Sequence, residues 1–131
     1  MVRALGLILV LLFAGLPRDA QASARELAGQ CQMLLQGKHG SGRHIRIPFT
    51  KPALTCWGYM QAVQDFAALA DENGQRVLGI CPPDRATMLD IAEAFVRYAD
   101  ARGKDLPDNA ALAVTQALQS AYPCAGLAEK L

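Results

Sequence analysis

Four cysteines, two histidines, a glycine-flanked serine and the pair Asp65 and Asp71 are the first side chains of this 131-residue chain to weigh for chemistry. A nucleophile needs a base and an orienting group beside it. Ser41 stands between Gly40 and Gly42 with His39 and His44 nearby, but it lacks the strand–turn–helix setting of a nucleophile elbow. Gly37-Lys38 has no upstream glycine spacing of a phosphate loop. The two histidines alone would leave a zinc site two ligands short, and no two cysteines form a C-x-x-C pair. Asp65 and Asp71 read as surface charges of one long helix. No catalytic residue, metal site or cofactor is therefore expected, and the chain does not read as an enzyme.

That leaves the cysteines as structural residues. Cys31, Cys56, Cys81 and Cys124 are even in number, and in an oxidising compartment they would persist as disulfides. The gaps from Cys31 to Cys56 and from Cys56 to Cys81 are equal, but the residues after each cysteine differ, so no repeat is inferred.

The N-terminus supplies the compartment. Arg3 precedes an apolar run from Ala4 to Leu16, and Pro17, Arg18 and Asp19 break it. Ala20-Gln21-Ala22 and Ala22-Ser23-Ala24 then offer the A-x-A pattern of a signal-peptidase site. Cleavage is expected after Ala22, with Ala24 as the second choice, giving a leader over 1–22 and one domain over 23–131. The run is shorter than the ~20 residues a membrane span needs. A lipoprotein reading fails because Gln30 precedes Cys31 where a small residue is wanted. Removing Arg3 and Arg18 from the 13 basic side chains and Asp19 from the 12 acidic ones leaves 11 of each. A balanced mature chain lacks the basic excess that phosphate backbones attract, so neither nucleic acid nor, once the leader is gone, a membrane is an expected partner.

Periodicity places the cysteines on an all-α domain of four helices. The first starts near Ser23, where Ser23 and Glu26 have the spacing of a capping box, and runs through Leu27, Cys31, Leu34 and Leu35 to Gly37. The second covers about Pro52 to Ala70, its face traced by Cys56, Met60, Val63, Ala67 and Ala70 and widened by Tyr59, Phe66 and Leu69. The third is capped by Thr87 with Asp90, buries Met88, Ile91, Phe95 and Tyr98, and ends at Gly103. The fourth, capped by Asp108, carries Ala110, Ala113, Val114, Ala117, Leu118 and Ala121 at core-facing helical spacing, and Pro123 closes it. Between the first two helices, His44 to Phe49 alternates polar and apolar, the period of an extended segment. Ile45, Ile47 and Phe49 are expected to drape over the bundle.

If the helices alternate up and down, Cys31 and Cys56 share one pole, and Cys81 and Cys124 share the other. A Cys56–Cys81 bridge would have to span most of the second helix, roughly 25 Å at 1.5 Å per residue, against a Cα limit near 7 Å. An extended return over Asp71 to Ile80 keeps that pairing open. The geometry favours Cys31–Cys56 and Cys81–Cys124.

Several landmarks together carry a family resemblance: Cys56-Trp57-Gly58-Tyr59, Val63, Asp65, Cys81-Pro82-Pro83, Thr87, Ala117-Leu118 and Tyr122-Pro123-Cys124. In this combination the chain resembles the Tai family, periplasmic immunity proteins against the amidase effectors of type VI secretion. The resemblance runs from about Arg25 to Cys124 and departs at Ala62, where the family often has glycine, and at Arg85-Ala86, which replace a glycine-valine pair. It implies a small helical domain, often a homodimer, located in the periplasm, that binds a secreted peptidoglycan amidase and blocks its cleft. The rival reading is a housekeeping chaperone or adaptor of the same fold. Partner-facing residues do not carry over from the resemblance. From the residues alone, the candidates are Arg43, His44 and Arg46 on the polar side of the extended segment, and Trp57, one position off the Cys56–Met60 face. Arginine and tryptophan are frequent interface anchors. The opposing reading has Trp57 packed against the connection and the arginines merely solvated.

Overall fold

The computed structural model describes residues 22–41 and 44–125. The expected leader, except Ala22, and Arg43 lie outside the described residues. Among the described residues there are four α-helices, α1 (Ala24–Gln36), α2 (Lys51–Ala67), α3 (Met88–Arg102) and α4 (Ala110–Ala121), with one 3-10 turn over Gly103–Asp105. Among the described residues there are only isolated bridges and no strands. None of these helices is long and apolar enough to cross a membrane.

α1 and α3 form the centre, each packing against the other three helices. α3 buries seven residues, among them Ile91, Phe95 and Ala99. A helix with neighbours on several sides buries more than one stripe, which is why Leu89, Ala94 and Val96 are buried beyond the expected face. The α4 stripe is buried from Ala110 through Ala113, Val114, Ala117 and Leu118, whereas Ala121, expected on the same stripe, is exposed at the helix end. Its alanines add little bulk, so the backbones can approach closely. No charged or polar residue is buried among those described, so the core is wholly apolar.

The helix ends divide into expected and unexpected caps. At α3, Thr87 and Asp90 form the full capping box: the Thr87 amide donates to Asp90 Oδ2 at 2.7 Å and the Asp90 amide to Thr87 Oγ1 at 3.3 Å. The Thr87 amide, together with the Thr87 hydroxyl that also donates to Asp90 Oδ2 at 2.8 Å, holds the Asp90 carboxyl below its ordinary pKa. At α1 the expected box does not form, because Ser23 makes no side-chain cap bond. Ser23 instead pairs with Asn109 in an antiparallel bridge. The Ala24 amide donates to Asp108 O at 2.8 Å, and the Ala110 amide to Ala22 O at 3.1 Å. The starts of α1 and α4 thus satisfy each other through backbone, which answers the need the serine would have met. The same pairing shifts the α4 cap by one residue. Asp108 spends its carbonyl on α1, and the side chain of Asn109 accepts the Leu112 amide at 2.9 Å.

α2 stops three residues short of Ala70. Beyond it the chain folds into a small hairpin in which Asp71 Oδ1 accepts the amides of Asn73 and Gln75, Gly74 takes a positive φ of 77°, and Ala70 bridges Arg76. The Val77 amide donates to Leu69 O at 3.0 Å. The Arg76 guanidinium donates to the Ala68 carbonyl at the end of α2. Leu69 at the base of this hairpin is 53% exposed, and Phe66, on the last turn of α2, is 61% exposed, so neither widens the buried face.

Both favoured disulfides are present. Cys31–Cys56 joins α1 to α2 with Cα atoms 5.0 Å apart, and Cys81–Cys124 joins the segment before α3 to the end of α4 at 4.9 Å. In the chain-entropy model, loops of 25 and 43 residues contribute about 3.5 and about 4 kcal/mol.

Candidate partner interface

The connection between α1 and α2 is the longest stretch between the helices that carries basic and aromatic side chains together. Its path is fixed at both ends. The Gly37 amide donates to Met33 O at 3.1 Å, and Pro48 sits so close that a Cβ on Gly37 would lie 2.6 Å from Pro48 Cγ. His39 and Arg46 form an antiparallel bridge with both bonds made, at 2.9 and 2.8 Å. Within that bridge Gly40 turns the chain at φ 100°, where a Cβ would meet the His44 carbonyl oxygen at 2.1 Å. The connection is therefore a closed loop on a pinned base.

His44 and Arg46 are both exposed on this loop. Of the three apolar residues expected to drape over the bundle, only Ile47 packs against the core, whereas Ile45 is 42% and Phe49 90% exposed. Pro48 is seated on Gly37, and Phe49 just beyond it does not pack on the core as Ile47 does. Phe49 also stands just before Thr50, the residue preceding α2. From there a phenyl ring often staples onto the fourth helical residue. That residue is Leu54, itself 38% exposed, and Phe49 does not cover it. Trp57 is half-buried and packs against the core, so it presents only part of its surface. The structure thus brings His44 and Arg46 together with Ile45 and Phe49 on one loop. Phe49 was missed in the sequence because period-two alternation marks an inward face without saying where the segment bends.

Two other surface features stand apart from this loop. Leu69 and Val77 sit opposite each other on the hairpin beside Phe66, all three more than half exposed. A cleft of about 300 Å³ is lined by Pro83, Arg85, Asp90, Glu93, Arg97 and Tyr122 among others. Three of its charged groups are engaged locally: Arg97 pairs with Glu93 at 3.3 Å, and Asp90 holds the α3 cap. Burial, aided by the Asp90 charge, pushes the Tyr122 phenol up, keeping it a neutral donor, 3.4 Å from Asp90 O. Among the described residues, no group of three His, Cys, Asp or Glu could hold a metal ion.

The profile of a family described as Rap1a immunity proteins matches residues 14–124. The chain belongs to this family. Rap1a is an immunity protein family of type VI secretion, in line with the kind of protein the sequence landmarks resemble, while the Tai designation itself is finer than this match. The match to the Rap1a family spans all four helices, both disulfides and the α1–α2 loop. No curated protein and no solved structure matches the chain.

Proposed function

We propose that this Rap1a-family protein is exported, loses residues 1–22, and in the periplasm binds and inhibits a peptidoglycan amidase delivered by type VI secretion. The family match over nearly the whole stapled domain is the observation that carries this reading. Two disulfides suit an oxidising compartment, and a balanced charge suits a protein partner rather than a polyanion. The protein acts by occupying its target and not by chemistry of its own. The α1–α2 loop is the proposed contact, with Phe49 and Ile45 as apolar anchors and Arg43, His44 and Arg46 as cationic groups for an acidic cleft rim. Trp57, half-buried against the core, contributes its exposed part. Homodimerisation belongs to the same proposal and is read from the mass in solution.

The test is calorimetry with purified residues 23–131 and the amidase effector encoded beside this gene. Tight one-to-one binding supports the reading, and absence of a complex contradicts it. The triple variant Arg43→Ala, Arg46→Ala, Phe49→Ala should bind at least about tenfold more weakly, since hot-spot truncations exceed ~1 kcal/mol each. Unchanged affinity of that variant would move the contact surface elsewhere and leave the function standing.

A further inference from the structure

The two disulfides differ in what solvent can reach. Cys31 and Cys56 are both 0% exposed within the core. Cys81 is exposed and Cys124 half-buried. Cys81 also lines an open cavity of about 250 Å³, together with Gln64, Arg76, Pro82 and Asp84. We propose that Cys81–Cys124 is a thiol-exchange site, open to attack at Cys81 by thiols in the native fold, while Cys31–Cys56 is a permanent staple.

Exchange needs a thiolate to reach one sulfur of the disulfide, so access decides which bond reacts. The cavity leads to Cys81, and the Arg76 guanidinium in its wall lends positive charge to an arriving thiolate, against the single carboxylate of Asp84. The incoming thiolate bonds to Cys81 Sγ, the bond to Cys124 Sγ breaks, and Cys124 leaves as a thiolate that takes up a proton. A second thiol then attacks the mixed disulfide and frees Cys81. The net change is two-electron reduction of the disulfide and oxidation of two thiols to one disulfide. The co-reactant is a thiol by class, either a small molecule or the cysteine pair of an oxidoreductase.

The fold is built to survive this step. The same junction is tied by the Cys81 amide to Tyr122 O at 2.8 Å, the Gln119 side-chain amide to Leu78 O at 2.8 Å, and the Cys124 amide to Gly79 O at 3.4 Å. Ile80 beside it is 1% exposed and pairs with Pro123. Opening Cys31–Cys56, by contrast, first requires the α1–α2 core to open, which holds its reduction to the rate and population of that opening.

The experiment exposes folded residues 23–131 to reduced glutathione, and in a parallel arm to reduced thioredoxin. Timed alkylation, peptide mapping and circular dichroism follow the reaction. Cys81 and Cys124 should be alkylated roughly 100-fold or more faster than Cys31 and Cys56, with helicity intact and the glutathione adduct on Cys81. A faster rate with thioredoxin at equal thiol concentration assigns the site to oxidoreductases, and the reverse assigns it to small thiols. Cys81→Ala/Cys124→Ala should remain helical and resist alkylation under the same conditions. Equal rates at both disulfides, labelling that tracks loss of helix, or an adduct on Cys124 overturns the proposal.

Discussion

Removing each disulfide in turn separates loop entropy from burial. The 43-residue loop of Cys81–Cys124 exceeds the 25-residue loop of Cys31–Cys56. Chain entropy alone therefore makes Cys81→Ala/Cys124→Ala the costlier variant, at about 4 against about 3.5 kcal/mol. Packing reverses that order. Cys31 and Cys56 are fully buried among the α1 and α2 core residues, and each sulfur removed leaves a void costing ~1 kcal/mol. Cys31→Ala/Cys56→Ala should then lose about 5.5 kcal/mol in all, some 1.5 kcal/mol more than the other pair. At 4–8 °C per kcal/mol for a domain of this size, its Tm should lie roughly 6–12 °C lower. Thermal and urea unfolding followed by circular dichroism provide the comparison. A larger loss from Cys81→Ala/Cys124→Ala would show that loop length governs, refuting the burial argument here and weakening the distinction between staple and exchange site.

Other perturbations test single elements. Thr87→Ala breaks the α3 capping box and should cost about 1 kcal/mol in denaturant unfolding. Because the Asp90 pKa is lowered in the folded state from 3.8, its contribution is full above the unfolded value and is lost as pH falls through the folded one. The pH dependence across that acid window should weaken only in part in Thr87→Ala, which removes the hydroxyl bond to the carboxylate and keeps the amide bond. Gly40→Ala puts a side chain at φ 100° against the His44 carbonyl. It should speed amide exchange at His39 and Arg46 by unpinning the loop base while leaving the helical signal unchanged. Phe49→Ala should alter stability by less than about 0.5 kcal/mol, whereas Phe95→Ala, at the fully buried centre, should cost about 3–5 kcal/mol. Equal effects of the two in urea titrations would contradict the assignment of Phe49 to the surface.

What the sequence disclosed were features closed within a few residues. Thr87 and Asp90 are three apart and satisfy each other, and the α4 stripe repeats at helical spacing whatever it packs against. The disulfide pairing was legible because alternating helices leave few poles for four cysteines. Features set by distant chain were not legible. Ser23 lacks a side-chain cap bond because its helix start pairs with Asn109 from the other end of the domain. Phe66 and Leu69 look like core by composition, yet Leu69 enters the hairpin held by Asp71 and Arg76, and Phe66 lies exposed on the last turn of α2. The same holds for the candidate interface. His44 and Arg46 could be read from their polar alternation, but the exposure of Phe49 breaks that alternation just after Pro48 meets Gly37.

The central claim is inhibition of a secreted amidase, and the most direct measurement is a titration of that activity. Where an amidase effector is encoded beside this gene, its cleavage of peptidoglycan should fall in proportion to added oxidised residues 23–131 and vanish near equimolar protein. Cleavage that continues undiminished in excess of the folded protein would contradict the account.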